Sequence, residues 1–223
     1  MPITLAFDVY GTLIDTHGVI TELEKMIGDK ACSFSHTWRD KQLEYSFRRG
    51  LMQRYEPFSI CISNALDYTC EFHNIGLTDE RKKLLLGHYR SLPAFDDVET
   101  GLDTLKAVDC RMFAFSNGTA DAVNALLVNA QIRDYFLGVV SVDDIKSFKP
   151  NPAVYKHFLQ ESEADAGDSW LISSNPFDIL GAISAGMNGA WLKRSEGAVF
   201  DPWGIEPTVI IESLGELEKA LAN

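Results

Sequence analysis

No stretch of the chain approaches the 18 or more consecutive apolar residues that a membrane-spanning helix requires, which argues against an integral membrane role. Positive charge is also scarce. The chain has 20 Lys and Arg against 32 Asp and Glu, a formal net charge of −12. A nucleic-acid partner needs concentrated positive potential, so that class is excluded, and any small anion must be met by a few placed cations. The four cysteines (Cys32, Cys61, Cys70, Cys110) form no CxxC pair, and the five histidines (His17, His36, His73, His88, His157) are scattered without metal-ligand spacing. Each cysteine is expected to be a buried structural residue, and no histidine is assigned a catalytic role. The opening segment MPITLAFDV lacks the basic region and long apolar stretch of a secretory signal, so the expected setting is cytoplasmic with reduced thiols. Internal repeats and low-complexity tracts are missing as well.

What remains is a soluble, globular composition: 46% hydrophobic and 23% charged in 223 residues, enough for one catalytic domain and a smaller appendage. Three short apolar runs stop abruptly at polar loops. Ile3–Phe7 meets Asp8-Val9-Tyr10-Gly11-Thr12-Leu13. Arg111–Phe115 meets Ser116-Asn117-Gly118 and a helical stretch, Ala120–Asn129. Ser169–Ile172 meets Ser173-Ser174-Asn175-Pro176-Phe177-Asp178, then a helical stretch from Ile179 to Ala185 that Gly186 ends. Further strand-like runs are Leu137–Val140, Ala190–Leu192 and Thr208–Ile211. Strands alternating with helices predict an α/β fold with a doubly wound parallel sheet of five or six strands, in which ligands bind beyond the carboxyl ends. Asp8, Ser116 and Asp178 are therefore expected to converge. Residues 16–94 read differently, with helical periodicity over Ile20–Ile27, Trp38–Tyr55, Phe58–Phe72 and Glu80–Tyr89 and no strand pattern between. The expected organisation is a Rossmann-like core over residues 1–15 and 95–223, with a helical cap, 16–94, inserted over the strand ends to exclude water.

The loops Asp8–Leu13, Ser116-Asn117-Gly118, Lys149-Pro150 and Ser173-Ser174-Asn175 with Asp178 resemble, in order and spacing, the four loop motifs of the haloacid dehalogenase superfamily. Within it the chain looks most like the L-2-haloacid dehalogenases, since Trp38-Arg39-Asp40-Lys41-Gln42-Leu43-Glu44-Tyr45 is similar to their cap-helix signature. The superfamily is mostly phosphatases, which carry a second Asp two residues after the nucleophile. Here that place is Tyr10, which cannot replace a carboxylic acid near neutral pH. The phosphatases also hold Mg²⁺ with a carboxylate four residues before the position of Asp178, and here that residue is Ser174, a poor ligand for a hard divalent cation. A halide leaves unprotonated, so its displacement needs neither group.

The resemblance implies metal- and cofactor-free hydrolysis of short L-2-haloalkanoic acids to D-2-hydroxy acids. Asp8 is the expected nucleophile and Lys149 keeps it ionised. Ser116 and Asn117, with Thr12 adding a hydroxyl, are expected to receive the substrate carboxylate. Asp178 is expected to position or deprotonate the hydrolytic water, with Ser173 and Asn175 holding the network. Arg39 is expected to meet the departing halide from a helix whose Trp38, Leu43 and Phe47 face the core. Tyr10, Leu43, Phe58 and Phe177 are expected to wall the carbon–halogen bond, and Tyr155 to hold the lysine loop beside the substrate. The resemblance also implies a homodimer. Two departures stand out: Asp40 where a glutamine is expected and Phe177 where a tryptophan is expected, both placed against the pocket. Two other readings stay open from the sequence, a Mg²⁺-dependent phosphatase of the same fold and a non-enzymatic small-anion module.

Overall fold

The computed structural model describes residues 2–222; Met1 and Asn223, which the expected core includes, lie outside the described residues. Six strands form one sheet: β1 Ile3–Phe7, β2 Cys110–Ser116, β3 Gly138–Ser141, β4 Ser169–Ser173, β5 Asn188–Leu192 and β6 Val209–Ile211. Their order is β3-β2-β1-β4-β5-β6, and every pairing is parallel. Parallel strands covered on both faces must be apolar throughout. β1 is accordingly a continuous buried run from Thr4 to Phe7. The register aligns Phe7 with Ala114 on one side and with Ile172 on the other, so β1, β2 and β4 end at one level. Successive strands are laid down to one side of β1 as β2 and β3 and to the other as β4, β5 and β6, which makes the mouth between β1 and β4 the switch point where such folds bind ligands.

Between β1 and β2 come α1 Ile20–Ile27, α2 Ala31–Leu51, α3 Phe58–Phe72, α4 Asp79–His88 and α5 Val98–Leu105. The first four lie in the 16–94 segment expected to form the cap. α2 begins seven residues earlier and ends four sooner than its periodicity suggests. Its buried stripe runs Ala31, Phe34, Ser35, Trp38, Gln42 and Ser46, and polar members of that stripe hide the helical period from sequence. Chain passes between cap and core at one paired crossing, where Ile14 bridges to Ala94, Asp15 N–H donates to the Pro93 carbonyl and Phe95 N–H to that of Leu13.

The remaining core helices are α6 Ala120–Asn129, α7 Pro152–Glu161, α8 Pro176–Ser184 and α9 Leu217–Leu221. α8 starts three residues before the apolar pattern because Asn175 takes the N-cap position and Pro176 suits the first turn. It ends where Gly186 adopts φ +88°, a conformation that favours glycine. The expected burial of all four cysteines holds for Cys61 and Cys70 only. Cys110 is half-buried, and Cys32 is exposed on the face of α2 turned away from the Ala31–Phe34–Trp38 stripe. Among the described residues no helix is long and apolar enough to cross a membrane.

Candidate active site

The loop after β1 is a tight turn in which the N–H groups of Leu13 and Ile14 both donate to the Val9 carbonyl, with Gly11 at φ +85°. It fixes Asp8 at the sheet mouth, nearly buried at 7% exposure, with its own N–H donating to the Ile172 carbonyl. The two carboxylate oxygens are treated differently. Oδ2 accepts from the Thr12 hydroxyl at 2.8 Å, the Ser173 hydroxyl at 3.2 Å and Asn175 Nδ2 at 2.8 Å. Among the described residues Oδ1 accepts from Lys149 Nζ alone, at 3.2 Å.

Lys149 arrives from the loop before α7, anchored by its backbone N–H donating to Asn117 Oδ1 at 3.0 Å. It is buried, and its ammonium spends its donors on Asp8, on Asp178 Oδ2 at 2.7 Å and on the Phe115 carbonyl at 2.9 Å, with the Phe115 ring 4.1 Å away. Burial works to discharge it, but Asp178 and Asp8 outweigh burial and hold its pKa above the usual lysine value. Asp178 sits behind it, fully buried in the first turn of α8, with Oδ1 accepting from the Tyr155 hydroxyl at 2.7 Å. Burial raises its pKa from 3.8 to about 6; the ammonium of Lys149 opposes that rise and the charge of Asp8 adds to it. The Tyr155 hydroxyl is pushed well up by its own burial and by Asp178.

A small cavity opens above Asp8, lined by Asp8, Tyr10, Asn117, Lys149, Asn175 and Phe177 from the core and by Arg39, Leu43 and Phe58 from the cap. Its volume for a water centre is about 10 Å³, room for about one water molecule. Arg39 Nη2 donates to the Tyr10 carbonyl at 3.0 Å, which carries the cap's guanidinium onto the nucleophile loop. The Tyr10 ring packs tilted against Phe58, with centroids 5.7 Å apart, and burial raises its hydroxyl to about 12, so it is a neutral wall. A Cβ on Gly118 would lie 3.2 Å from that ring, which explains glycine at the end of the second loop. A larger groove of about 610 Å³ runs between Tyr55 and α7, and it contains neither Asp8 nor Arg39.

Most of the residues singled out from sequence meet here. Asp8, Tyr10, Arg39, Leu43, Phe58, Asn117, Lys149, Asn175 and Phe177 line the cavity, and Thr12, Ser173 and Asp178 stand directly behind it. Ser116 and Tyr155 stand apart. The Ser116 hydroxyl faces its own loop, accepting from Gly118 N–H, and the Tyr155 hydroxyl, among the described residues, donates only to Asp178. Asp40 is exposed rather than in the pocket, because one residue along a helix turns about 100° away from Arg39, whereas Gln42 and Leu43 share its face. Phe47 does not enter the core either; it packs edge-on to Phe177 with centroids 4.9 Å apart.

The sequence reading missed three supports. Arg194, just past β5, clamps the Thr12 carbonyl through Nε and Nη2 at 3.1 and 2.6 Å, reaches Asp97 at 2.6 Å and lies over the Phe95 ring. Ser174 ties the first and fourth loops together, with its hydroxyl donating to the Gly11 carbonyl and its N–H to the Thr12 hydroxyl. Phe148 lies beneath two cap rings, Tyr55 and Phe58. Only the position of Lys-Arg after an apolar run hinted at the first of these.

Two carboxylates bridged by one buried lysine at the mouth of a parallel sheet, under a helical cover, define a hydrolase site that carries its own counter-cation. Among the described residues no group of three or more His, Cys, Asp or Glu is gathered to hold a metal ion. The haloacid dehalogenase-like hydrolase family model matches residues 4–186, and the chain belongs to that family. Within it, the chain is 32% identical to an (S)-2-haloacid dehalogenase of Pseudomonas putida over 98% of its own length and 96% of the relative's. It is 35% identical to the (S)-2-haloacid dehalogenase H-109 of Pseudomonas putida over 98% and 97%. The fold superposes with a TM-score of 0.93 on the L-2-haloacid dehalogenase of Xanthobacter autotrophicus with chloropropionic acid covalently bound, at 27% identity, covering 100% of this chain and 99% of that one.

Proposed function

We propose that the protein hydrolyses short L-2-haloalkanoic acids to D-2-hydroxy acids through an ester on Asp8. The unequal treatment of the two Asp8 oxygens carries this reading. Oδ1, bonded only to Lys149, is the oxygen with lone pairs to spare for attack at C2, and displacement from the side opposite the halide inverts that carbon. Once Oδ1 becomes the ester oxygen, Oδ2 is the carbonyl oxygen. Thr12, Ser173 and Asn175 already donate to Oδ2, so they stabilise the charge that develops there when water attacks the ester carbon.

Lys149 holds positive potential for the substrate carboxylate beside Asn117, and Arg39 meets the leaving halide. Asp178 takes the proton of the attacking water, its pKa near 6 suiting a base at neutral pH. A phosphatase reaction has no support in these side chains. Tyr10 offers no acid, and Ser174, standing where the phosphatase metal carboxylate would be, spends its hydroxyl on the Gly11 carbonyl. We further propose the division into a core of residues 1–15 and 95–223 and a cap of 16–94, and a homodimeric assembly.

The test is a single turnover in ¹⁸O-water. Label should enter the Asp8 carboxylate while the product carries unlabelled oxygen; label arriving first in the product would overturn the covalent route. Halide release from chloro- and bromo-propionate should accompany it and be insensitive to EDTA.

A further inference from the structure

Arg39 is the charged side chain that α2 sends into the cavity, and a free guanidinium on so long a stem loses much rotamer freedom on being fixed. One end of it is held by the Tyr10 carbonyl. The other end faces Gln42, one helical turn on, whose Oε1 accepts from Nη1 at 3.5 Å. Gln42 is fully buried, in a helix stripe otherwise made of Phe34, Trp38 and small residues, and it does not line the cavity. A buried amide is costly unless it is bonded, so its neighbours say what it is there for. Its Nε2 donates to the Tyr89 hydroxyl at 3.0 Å, just past α4, and the Tyr89 ring packs on Trp38 with centroids 4.9 Å apart. Reversing the amide would set its N–H groups against a guanidinium that has no acceptor to offer, so Arg39 itself selects the orientation with the oxygen toward it.

We propose that Gln42, backed by Tyr89, is a positioning residue for the proposed dehalogenation: it fixes the plane of the Arg39 guanidinium. Two of the five Arg39 N–H donors are thereby committed to the protein, and the remaining three are held ready for the departing halide. The proposal rests on the reading of Arg39 as the halide-binding group. Chloride is a poorer leaving group than bromide, so its departure draws more on a preset donor. Loss of Gln42 should therefore affect chloride more than bromide and spare the later ester hydrolysis, in which no halide takes part.

The experiment measures single-turnover halide release from saturating 2-chloropropionate and 2-bromopropionate, and ester hydrolysis separately, in the full chain. Gln42→Leu should slow chloride release about tenfold and bromide release about threefold or less, with hydrolysis unchanged, the loss expected of a donor displaced by a fraction of an ångström. Gln42→Glu, which keeps an oxygen toward Arg39, should restore the parental chloride-to-bromide ratio. Equal slowing of both halides, a parallel loss of hydrolysis, or no change in the ratio overturns the proposal. Where Gln42→Leu does not fold, Tyr89→Phe keeps the ring on Trp38 and removes the hydroxyl. A shift of the ratio in the same direction supports the proposal, and an unmoved ratio overturns it. Arg39→Lys, run in parallel, separates the two levels. If it leaves the ratio unmoved, the reading of Arg39 itself fails. If it moves the ratio while the Gln42 and Tyr89 variants do not, only the positioning role fails.

Discussion

On the core side of the cavity Asp8 accepts from four side-chain donors, one from the loop after β1, two from the end of β4 and its loop and one from the lysine loop, whereas the cap contributes two apolar walls, Leu43 and Phe58, and Arg39. The core half is preorganised by hydrogen bonds with fixed directions. The cap half is held largely by ring contacts, Phe47 on Phe177, Tyr10 on Phe58, and Tyr55 and Phe58 on Phe148. Directional bonds set the geometry of a reaction, while apolar contacts tolerate repacking. The contrast teaches where to look for chemistry and where for selectivity: variants of the core donors should change rate constants, and variants of the cap's apolar walls, Leu43 and Phe58, should change which substrate is accepted.

The largest effect should come from Asp8→Asn, which removes the attacking oxygen; the rate of halide release should fall by about 10⁴-fold or more, with the substrate still bound. Lys149→Met should slow the first half-reaction by about 100- to 1,000-fold, measured as the halide burst, because both carboxylates lose the charge that serves them. Asp178 offers a pH test with two opposite signs. Ester hydrolysis needs its ionised form and should rise about tenfold per unit up to about pH 6, where its raised pKa lies. Its folded pKa lies above the unfolded value of 3.8, so the folded state binds the proton more tightly, and stability relative to Asp178→Asn should fall as pH rises from about 4 to about 6. Denaturant titrations of both proteins across that window would show it. Smallest of all, Leu43→Ala should widen the cavity from the cap side and improve kcat/KM for 2-halobutyrate over haloacetate by about five- to tenfold, the low end of the roughly 1–3 kcal/mol a methylene is worth in an apolar pocket. A Leu43 or Phe58 variant that abolished the Asp8 ester, or a variant of the Asp8 donors that only re-ranked substrates, would break the contrast.

The core half was the more legible half of the sequence for the same reason. Asp8 and Ser173 follow directly on an apolar run, and Asn117, Asn175 and Asp178 come within six residues of one, so local pattern placed them at the sheet mouth. Arg194 carries no such mark. Its partners Thr12 and Asp97 are brought to it only by the order of strands in the sheet. The same holds for Gln42, whose meaning depends on Tyr89 from a helix two elements away. Asp40 was misplaced because adjacency in sequence stands for adjacency in space along a strand end but not around a helix.

The crossing at Ile14 and Ala94 makes the cap, in polymer terms, a closed loop of roughly 80 residues whose ends touch. The entropy of closing such a loop grows only logarithmically, so doubling its length would cost about 0.6 kcal/mol, and halving it would return as little. The chain can therefore exchange, enlarge or trim the part that selects its substrate almost without penalty to the stability of the sheet. The carboxylates at the strand ends, set by register, have no comparable freedom.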